Sequence, residues 1–268
     1  MSDPTASVTA HNAVVAFGAR PVHISPIGLA RVPLAGSDFA TVIYDLAPWT
    51  DEVVPLVRAL RRAYRTLSLL LYAPPIPSVP VLTYRCSGLR AVKTLLQSAS
   101  SSEPETVRDG VAWLMAARHA EVVCHFVELL IPDLPARARD CMRRTLDHLV
   151  DPGRLHIPSV HSIATQLGVP ERTLQRNFES AGLPSPKAVM DWITLMFLTL
   201  AAESNGRSMS AVAGEFGIDR YTVRRLRQRL LHVDNGSGPG GFNFAFLGFA
   251  EACHVSSSIA LRLITPAG

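Results

Sequence analysis

The fold is decided by the stretch IATQLGVPERTLQR, residues 163–176, whose pattern recurs 49 positions later as VAGEFGIDRYTVRR, residues 212–225. A small alanine in each copy lets two helices cross closely, and a glycine ends the first helix because the tight turn needs a positive φ. The copies agree in residue type at Ile163/Val212, Ala164/Ala213, Leu167/Phe216, Gly168/Gly217, Val169/Ile218, Leu174/Val223 and Arg176/Arg225. The pattern predicts two helix-turn-helix units.

The residues after the first copy extend this pattern. Residues 176–178 read RNF, and residues 181–186 read AGLPSP, a turn before another helix. Together with the doubled motif they resemble the AraC/XylS type of transcription regulator, in which a long helix joins two helix-turn-helix units. The resemblance covers about residues 159–231, with Asp191 and Trp192 on the expected linking helix. It implies an all-α, double helix-turn-helix domain over residues 154–231 that binds double-stranded DNA.

The candidate binding residues lie on the second helix of each unit, because the amino-terminal half of that helix faces base edges. Arg172 can fork onto guanine, Gln175 onto adenine, and Glu171 can accept from cytosine. Arg227 and Arg229 are expected to contact phosphate, where charge matters more than direction. The full set of expected DNA-binding residues is Glu171, Arg172, Gln175, Arg176, Arg220, Tyr221, Arg224, Arg225, Arg227 and Arg229.

Basic residues are concentrated in the second copy. The net charge of the 268-residue chain is only +4, yet five arginines lie between Arg220 and Arg229. A block of this kind suits a polyanion. A solvated helix face is the alternative interpretation of a charge run, but the position inside a helix-turn-helix favours DNA.

The first part of the chain predicts a small α/β domain, residues 11–100, of the flavodoxin or receiver type. A strand at 39–46, a helix after the capping residues 50–52 and a strand at 67–72 indicate a parallel crossover. Further elements are expected as a strand at 13–17, a strand at 79–84 and a helix at 89–97.

The stretch 42–73 resembles part of a response-regulator receiver domain, since Asp45 is followed closely by Pro48. A phosphorylatable receiver also needs an acidic pair after its first strand to bind Mg²⁺, but residues 16–20 read AFGAR. Without metal ligands, the charge on a transferring phosphoryl group is not stabilised. We expect a receiver-like fold without the chemistry, acting as a sensing, partner or dimerisation module.

Two further segments complete the expected organisation. Residues 101–150 predict a connector of three helices, of which the second presents an apolar face from Val122 to Leu130. This face serves either coupling and dimerisation or simple packing on the sheet. Residues 232–268 form a Gly/Phe-rich tail of unknown structure. Its alternation of Phe242, Phe244 and Phe246 has the period of a strand.

Composition and motifs argue against several other classes. The four cysteines have no metal-ligand spacing, which favours reduced, mostly buried thiols in a cytoplasmic protein. No phosphate-binding loop or nucleophile motif occurs, so we expect no enzyme activity, no cofactor and no metal. No apolar run has the length of a membrane span.

The sequence favours a DNA-binding transcription regulator, for which a homodimer and a contact with RNA polymerase are further candidate partners. The alternative is a regulator-derived interaction protein whose second unit is degenerate and does not bind promoter DNA. This alternative is based on the absence of a second glycine and proline turn after Leu231, where the chain becomes Gly-rich.

Overall fold

The computed structural model divides into two compact units, Met1–Glu121 and Val122–Gly268. The expected strands at 13–17 and 79–84 and the Gly-rich run at 234–240 lie outside the described residues. No helix in the described part of the chain is both long and apolar enough to span a bilayer. The structure describes residues 41–45, 53–63, 68–73, 92–96, 103–149, 159–232 and 241–264.

The first unit contains a small parallel sheet. Its elements are β1 (Thr41–Asp45), α1 (Val53–Ala63), β2 (Ser68–Ala73) and β3 (Val92–Leu96), and the strands lie in the order β1-β2-β3. The expected strand, helix and parallel strand are therefore confirmed. Leu69, Leu70 and Leu71 of β2 are fully buried, as in a parallel strand covered on both faces.

One expectation in this unit is wrong. Residues 89–97 were expected to contain a helix, but Val92–Leu96 pairs with β2 as a parallel strand. The apolar run is too short for its period to separate a strand from a helix. The β-branched Val92 and Thr94 and the available edge of β2 favour the strand.

The helical connector also differs from the expectation of three helices. A single helix, α2 (Glu103–Leu130), replaces the first two, and α3 (Ala136–Leu149) follows after a 3-10 turn at Ile131–Asp133. The middle of α2 contains Ala116, Ala117 and Ala120 and no proline. Alanine has the highest helix propensity, so nothing interrupts the helix before Pro132.

The second unit is helical, as expected for the carboxyl-terminal part. It contains α4 (Val160–Gln166), α5 (Glu171–Ser180), α6 (Pro186–Asn205), α7 (Met209–Glu215) and α8 (Arg220–Leu231). Four of these helices begin at a side chain that accepts a hydrogen bond from the backbone N–H three residues later, which satisfies an otherwise unpaired donor. These N-caps are Ser159, Ser185, Ser208 and Asp219.

Helix α6 is the centre of the second unit. It is apolar around most of its circumference, and such a helix is stable only when it is buried. One of its faces closes a core with α7 and α8. The buried members of that core are Leu198, Ala201, Ala202, Val212, Ala213 and Val223.

The described part of the tail, residues 241–264, contains two helices, α9 (Phe242–Ala252) and α10 (Ser257–Ile264). The strand-period expectation for its phenylalanines is therefore wrong. Burial follows helical spacing, and Phe244, which is 39% exposed, lies off this face. The buried residues of α9 are Phe242, Ala245, Phe246, Phe249 and Ala250.

Helix α9 also covers the apolar face at the end of α2. The ring of Phe126 makes edge contacts with Phe242 and Phe246 at centroid distances of 5.0 and 5.2 Å. Val123 and Val127 are buried as well. Part of the face from Val122 to Leu130, considered as a site of dimerisation, therefore packs against α9 through Phe126.

Helix α9 packs closely against α6 at Gly248. A Cβ atom there would lie 2.5 Å from Cη2 of the buried Trp192, closer than carbon atoms can approach. A second link is a hydrogen bond from the backbone N–H of Phe242 to Oε1 of Glu203, at 3.0 Å. The tail is thus an integral part of the second unit.

We predict that Gly248→Ala lowers the free energy of unfolding of the second unit by up to about 2 kcal/mol. Overpacking costs about 1–3 kcal/mol, and the better helix propensity of alanine offsets about 1 kcal/mol of it. Gly214→Ala in α7 is the matched control, because nothing lies within 4 Å of its Cβ position. Thermal unfolding of both full-length variants measures the difference; an equal rise in both melting temperatures contradicts the packing.

Candidate nucleic-acid interface

The two repeated segments share the same turn. In the first, Gly168 has a φ of 66°, and the N–H of Val169 donates to the carbonyl of Ala164 at 3.0 Å. In the second, Gly217 has a φ of 67°, and Ile218 donates to Ala213 at 2.9 Å. This hydrogen bond closes a turn of six residues and satisfies a carbonyl at the end of the first helix. It confirms the positive φ expected at both glycines.

The second helix of the first segment, α5, presents all four of its expected contact residues to solvent. Its apolar side is separate, with Leu174 and Phe178 buried. Glu171 has a local partner, because its Oε1 lies 2.9 Å from Nδ1 of His161. The exposed contact residues are Glu171, Arg172, Gln175 and Arg176.

Helix α8 of the second segment also has a buried apolar side and an exposed side. Val223 and Leu226 are buried, whereas Tyr221 keeps 69% of its surface exposed. The helix begins at Asp219, which accepts hydrogen bonds from the N–H and the hydroxyl of Thr222. These bonds hold the pKa of the Asp219 carboxyl below its usual value. The other exposed residues of this face are Arg220, Arg224 and Arg225.

A groove of about 360 Å³ runs between the start of α7 and the exposed side of α8. Arg220, Arg224 and Arg227 line it, together with the hydroxyl-bearing Ser210 and with Gln228. Among the described residues, Nε of Arg227 is buried and has no hydrogen-bond partner. Three arginine side chains that line one groove could bind an anion with several acceptor oxygens, such as a phosphate.

Arg229 has a different environment from the other arginines. It forms an ion pair with Oδ2 of Asp191 on α6, and the ammonium of Lys187 lies 2.6 Å from Oδ1 of the same carboxylate. The Asp191 side chain is only 6% exposed, whereas that of Arg229 is 55% exposed. Arg229 therefore joins α8 to α6, and the expected phosphate contact must compete with this ion pair.

Sequence reasoning missed Asp191 as an anchor of α8. The spacing of Lys187 and Asp191 at i and i+4 indicates a pair on one helix face. The partner on α8 lies 38 residues away in the chain and is determined by packing. Ser210 and Gln228 were also missed, because their positions in the groove depend on how α7 and α8 cross.

The two second helices differ in charge. Helix α5 contains two arginines and two glutamates, while α8 contains five arginines and no acid. Long-range attraction of a polyanion therefore depends mainly on α8. Helix α5 offers both donors and acceptors, which suits discrimination among base edges.

Three of the four cysteines are described, and Cys124, Cys141 and Cys253 are free and buried. Burial raises the pKa of the Cys253 thiol to about 12. Within the described residues, no group of three His, Cys, Asp or Glu side chains could hold a metal ion. Comparison of the chain with protein-family models, curated proteins and solved structures gives no match.

We predict that Arg229→Ala lowers the free energy of unfolding by about 1 kcal/mol, the upper range for a partly exposed ion pair, because Asp191 is buried. Arg225→Ala is the matched control, since it removes the same charge from the exposed face of α8. Urea unfolding of the two variants separates the roles. Equal stability in both would contradict a positioning role for Arg229.

Proposed function

We propose that the chain is a sequence-specific, DNA-binding transcription regulator of the AraC/XylS kind. Its two helix-turn-helix segments would enter adjacent major-groove segments of one duplex. The observation that carries the proposal is the arginine groove on α8, where Arg220, Arg224 and Arg227 lie together on a second helix. The matching turn of the first segment and its exposed α5 support a second contact of the same type.

The two segments would divide the work of recognition. The arginines of α8 neutralise phosphates and release counterions, which supplies most of the affinity in low salt. Arg172 and Gln175 of α5 reach base edges and supply discrimination. The ion pair between Arg229 and Asp191 sets the position of α8 relative to α6, so that both second helices are held by one scaffold.

The alternative, an interaction protein whose second helix-turn-helix unit is degenerate, has less support. It was based on the missing turn after Leu231. In the structure the buried residues of α7 and α8 pack on α6, and α9 contacts both α6 and α8. The second helix-turn-helix segment therefore has a core without that turn, and Arg220, Arg224 and Arg227 line one groove on it.

The amino-terminal unit, Met1–Glu121, would act as a receiver-like module without phosphorylation. Parallel strands in the order β1-β2-β3 are compatible with one side of a flavodoxin-like sheet. Asp45 ends β1 level with Leu95, whereas Lys93 lies two residues nearer the start of β3. The Lys93 ammonium lies 5.3 Å from the ring centroid of Trp113, a favourable cation–π position.

Location and further partners are part of the same proposal. Buried free thiols suit a reducing compartment, so the regulator would act in the cytoplasm. A homodimer would place two regulators on a repeated site and raise their effective concentration there. Contact with RNA polymerase would follow from binding near a promoter.

We predict that Arg172→Ala loses about 1–3 kcal/mol of affinity on a selected duplex and little on random DNA, because it removes one base contact. Arg224→Ala should weaken binding to both and reduce the salt slope by about 1. Arg137→Ala on α3 removes the same charge from an exposed site outside the two segments and is the control. Fluorescence anisotropy over a range of salt concentrations measures all three.

The DNA proposal fails if selection from random duplexes enriches no sequence and Arg224→Ala binds like Arg137→Ala. Equal losses on selected and random DNA for Arg172→Ala would contradict the assignment of Arg172 to a base.

We also predict that Asp45 does not accept a phosphoryl group. Incubation with a small phosphodonor and Mg²⁺ should leave the intact mass unchanged, because residues 16–20 supply no acidic pair for the metal. Asp45→Ala should keep full reporter activity. A stoichiometric adduct that disappears in Asp45→Ala, together with loss of regulation, would show a working receiver.

A further inference from the structure

The tail contains a third copy of the repeated pattern. Residues 249–262 read FAEACHVSSSIALR and begin 37 positions after the second copy. The small alanine, Ala250, lies at the position of Ala164 and Ala213. An apolar residue, Val255, follows the turn at the position of Val169 and Ile218. The remaining matches are Phe249 with Val212, Cys253 with Phe216, Ala260 with Val223 and Arg262 with Arg225.

The backbone of this third copy has the same turn as the other two. The N–H of Val255 donates to the carbonyl of Ala250 at 2.9 Å, the six-residue closure of the first two turns. The N–H of His254 donates to Glu251 at 2.9 Å, as Gly168 donates to Thr165. His254 has a φ of 60° at the position of the two glycines. A histidine is uncommon there, so the surrounding packing must compensate for its strain.

Each of the three copies has an apolar side that is buried or half-buried and another side that is exposed. The apolar positions of the third copy are buried, whereas Leu167, Val169, Phe216 and Ile218 in the first two copies are half-buried. The positions equivalent to the proposed DNA-contacting residues of α5 and α8 are exposed. These exposed residues of α10 are Ser257, Ser258, Leu261 and Arg262.

We infer that α9 and α10 form a third helix-turn-helix unit and that α10 is a third contact surface for duplex DNA. This inference rests on the proposed function of the first two units. Leu261 would contact a thymine methyl group, Ser257 would bond to a base edge or a phosphate, and Arg262 would contact phosphate. Helices α5, α7, α8 and α9 all contact α6, so one helix carries parts of all three units.

The chemistry of α10 distinguishes it from α8. Leu261 is 47% exposed, and Tyr221 on α8 is exposed at the equivalent face. Large apolar side chains on a contact helix suit base edges better than phosphates. The only charged residue of α10 is Arg262, whose Nε donates to the carbonyl of Ser258 at 3.3 Å. A contact through Leu261 would therefore add affinity and specificity without adding salt dependence.

The test uses the full-length protein and a duplex selected from long random sequences, followed by base-by-base interference footprinting. Leu261→Ala should lower affinity for the selected duplex at least about fivefold, the lower range for one base contact. It should leave the salt slope unchanged and erase footprint signal at one distinct segment. Asn243→Ala, at an exposed position on α9 away from α10, is the control and should bind like the wild type. Circular dichroism checks that all variants keep their melting temperature.

A second duplex, with that segment randomised, completes the test. Wild type and Leu261→Ala should bind it equally. If wild type binds both duplexes equally, or Leu261→Ala binds the selected duplex like Asn243→Ala while Arg224→Ala loses affinity, α10 does not contact DNA and the two-unit proposal stands. If no duplex is enriched and Arg224→Ala has no effect, the inference and the proposed function both fail.

Discussion

The carboxyl-terminal unit, Val122–Gly268, depends on the burial of one helix, α6. Its apolar residues are distributed around the helix, and they can leave water only if other helices cover several sides. The core with α7 and α8 covers one side, and Trp192 against Gly248 covers another. Asp191 is the buried charged residue of this helix. Two cations neutralise it, and one of them comes from α8, so the need to pair this carboxylate also constrains the proposed DNA-contacting helix.

A common turn explains how dissimilar sequences form the same local structure. In all three copies the residue after the turn closes a hydrogen bond to the carbonyl of a small alanine five positions earlier. This bond needs a positive φ at the intervening residue, which glycine supplies at little cost. His254 adopts the same φ without that freedom. The apolar positions before and after the turn therefore determine the motif more strongly than its glycine does.

This explains which parts of the structure could be predicted from sequence. The first two units were predictable because local propensity, glycine position and apolar spacing agree. The third unit was missed because His254 replaces the glycine and because Phe242, Phe244 and Phe246 happen to alternate. The strand β3 and the unbroken α2 were missed because short or alanine-rich runs do not reveal their tertiary partners. The candidate interface was predicted as ten residues on the second helices of the two segments, but the separation of Arg229 from Arg227 depends on packing against α6.

The distribution of charge suggests why three contact helices would differ. If every second helix resembled α8, phosphate attraction would dominate, and binding would be strong and poorly selective. Helix α5 balances two arginines with two glutamates, and α10 has a single arginine and an exposed leucine. Helices of low net charge gain little from a duplex unless their side chains match its base edges. Attraction concentrated on α8 would bring the protein to DNA, while the other two helices would decide whether it stays at a given sequence.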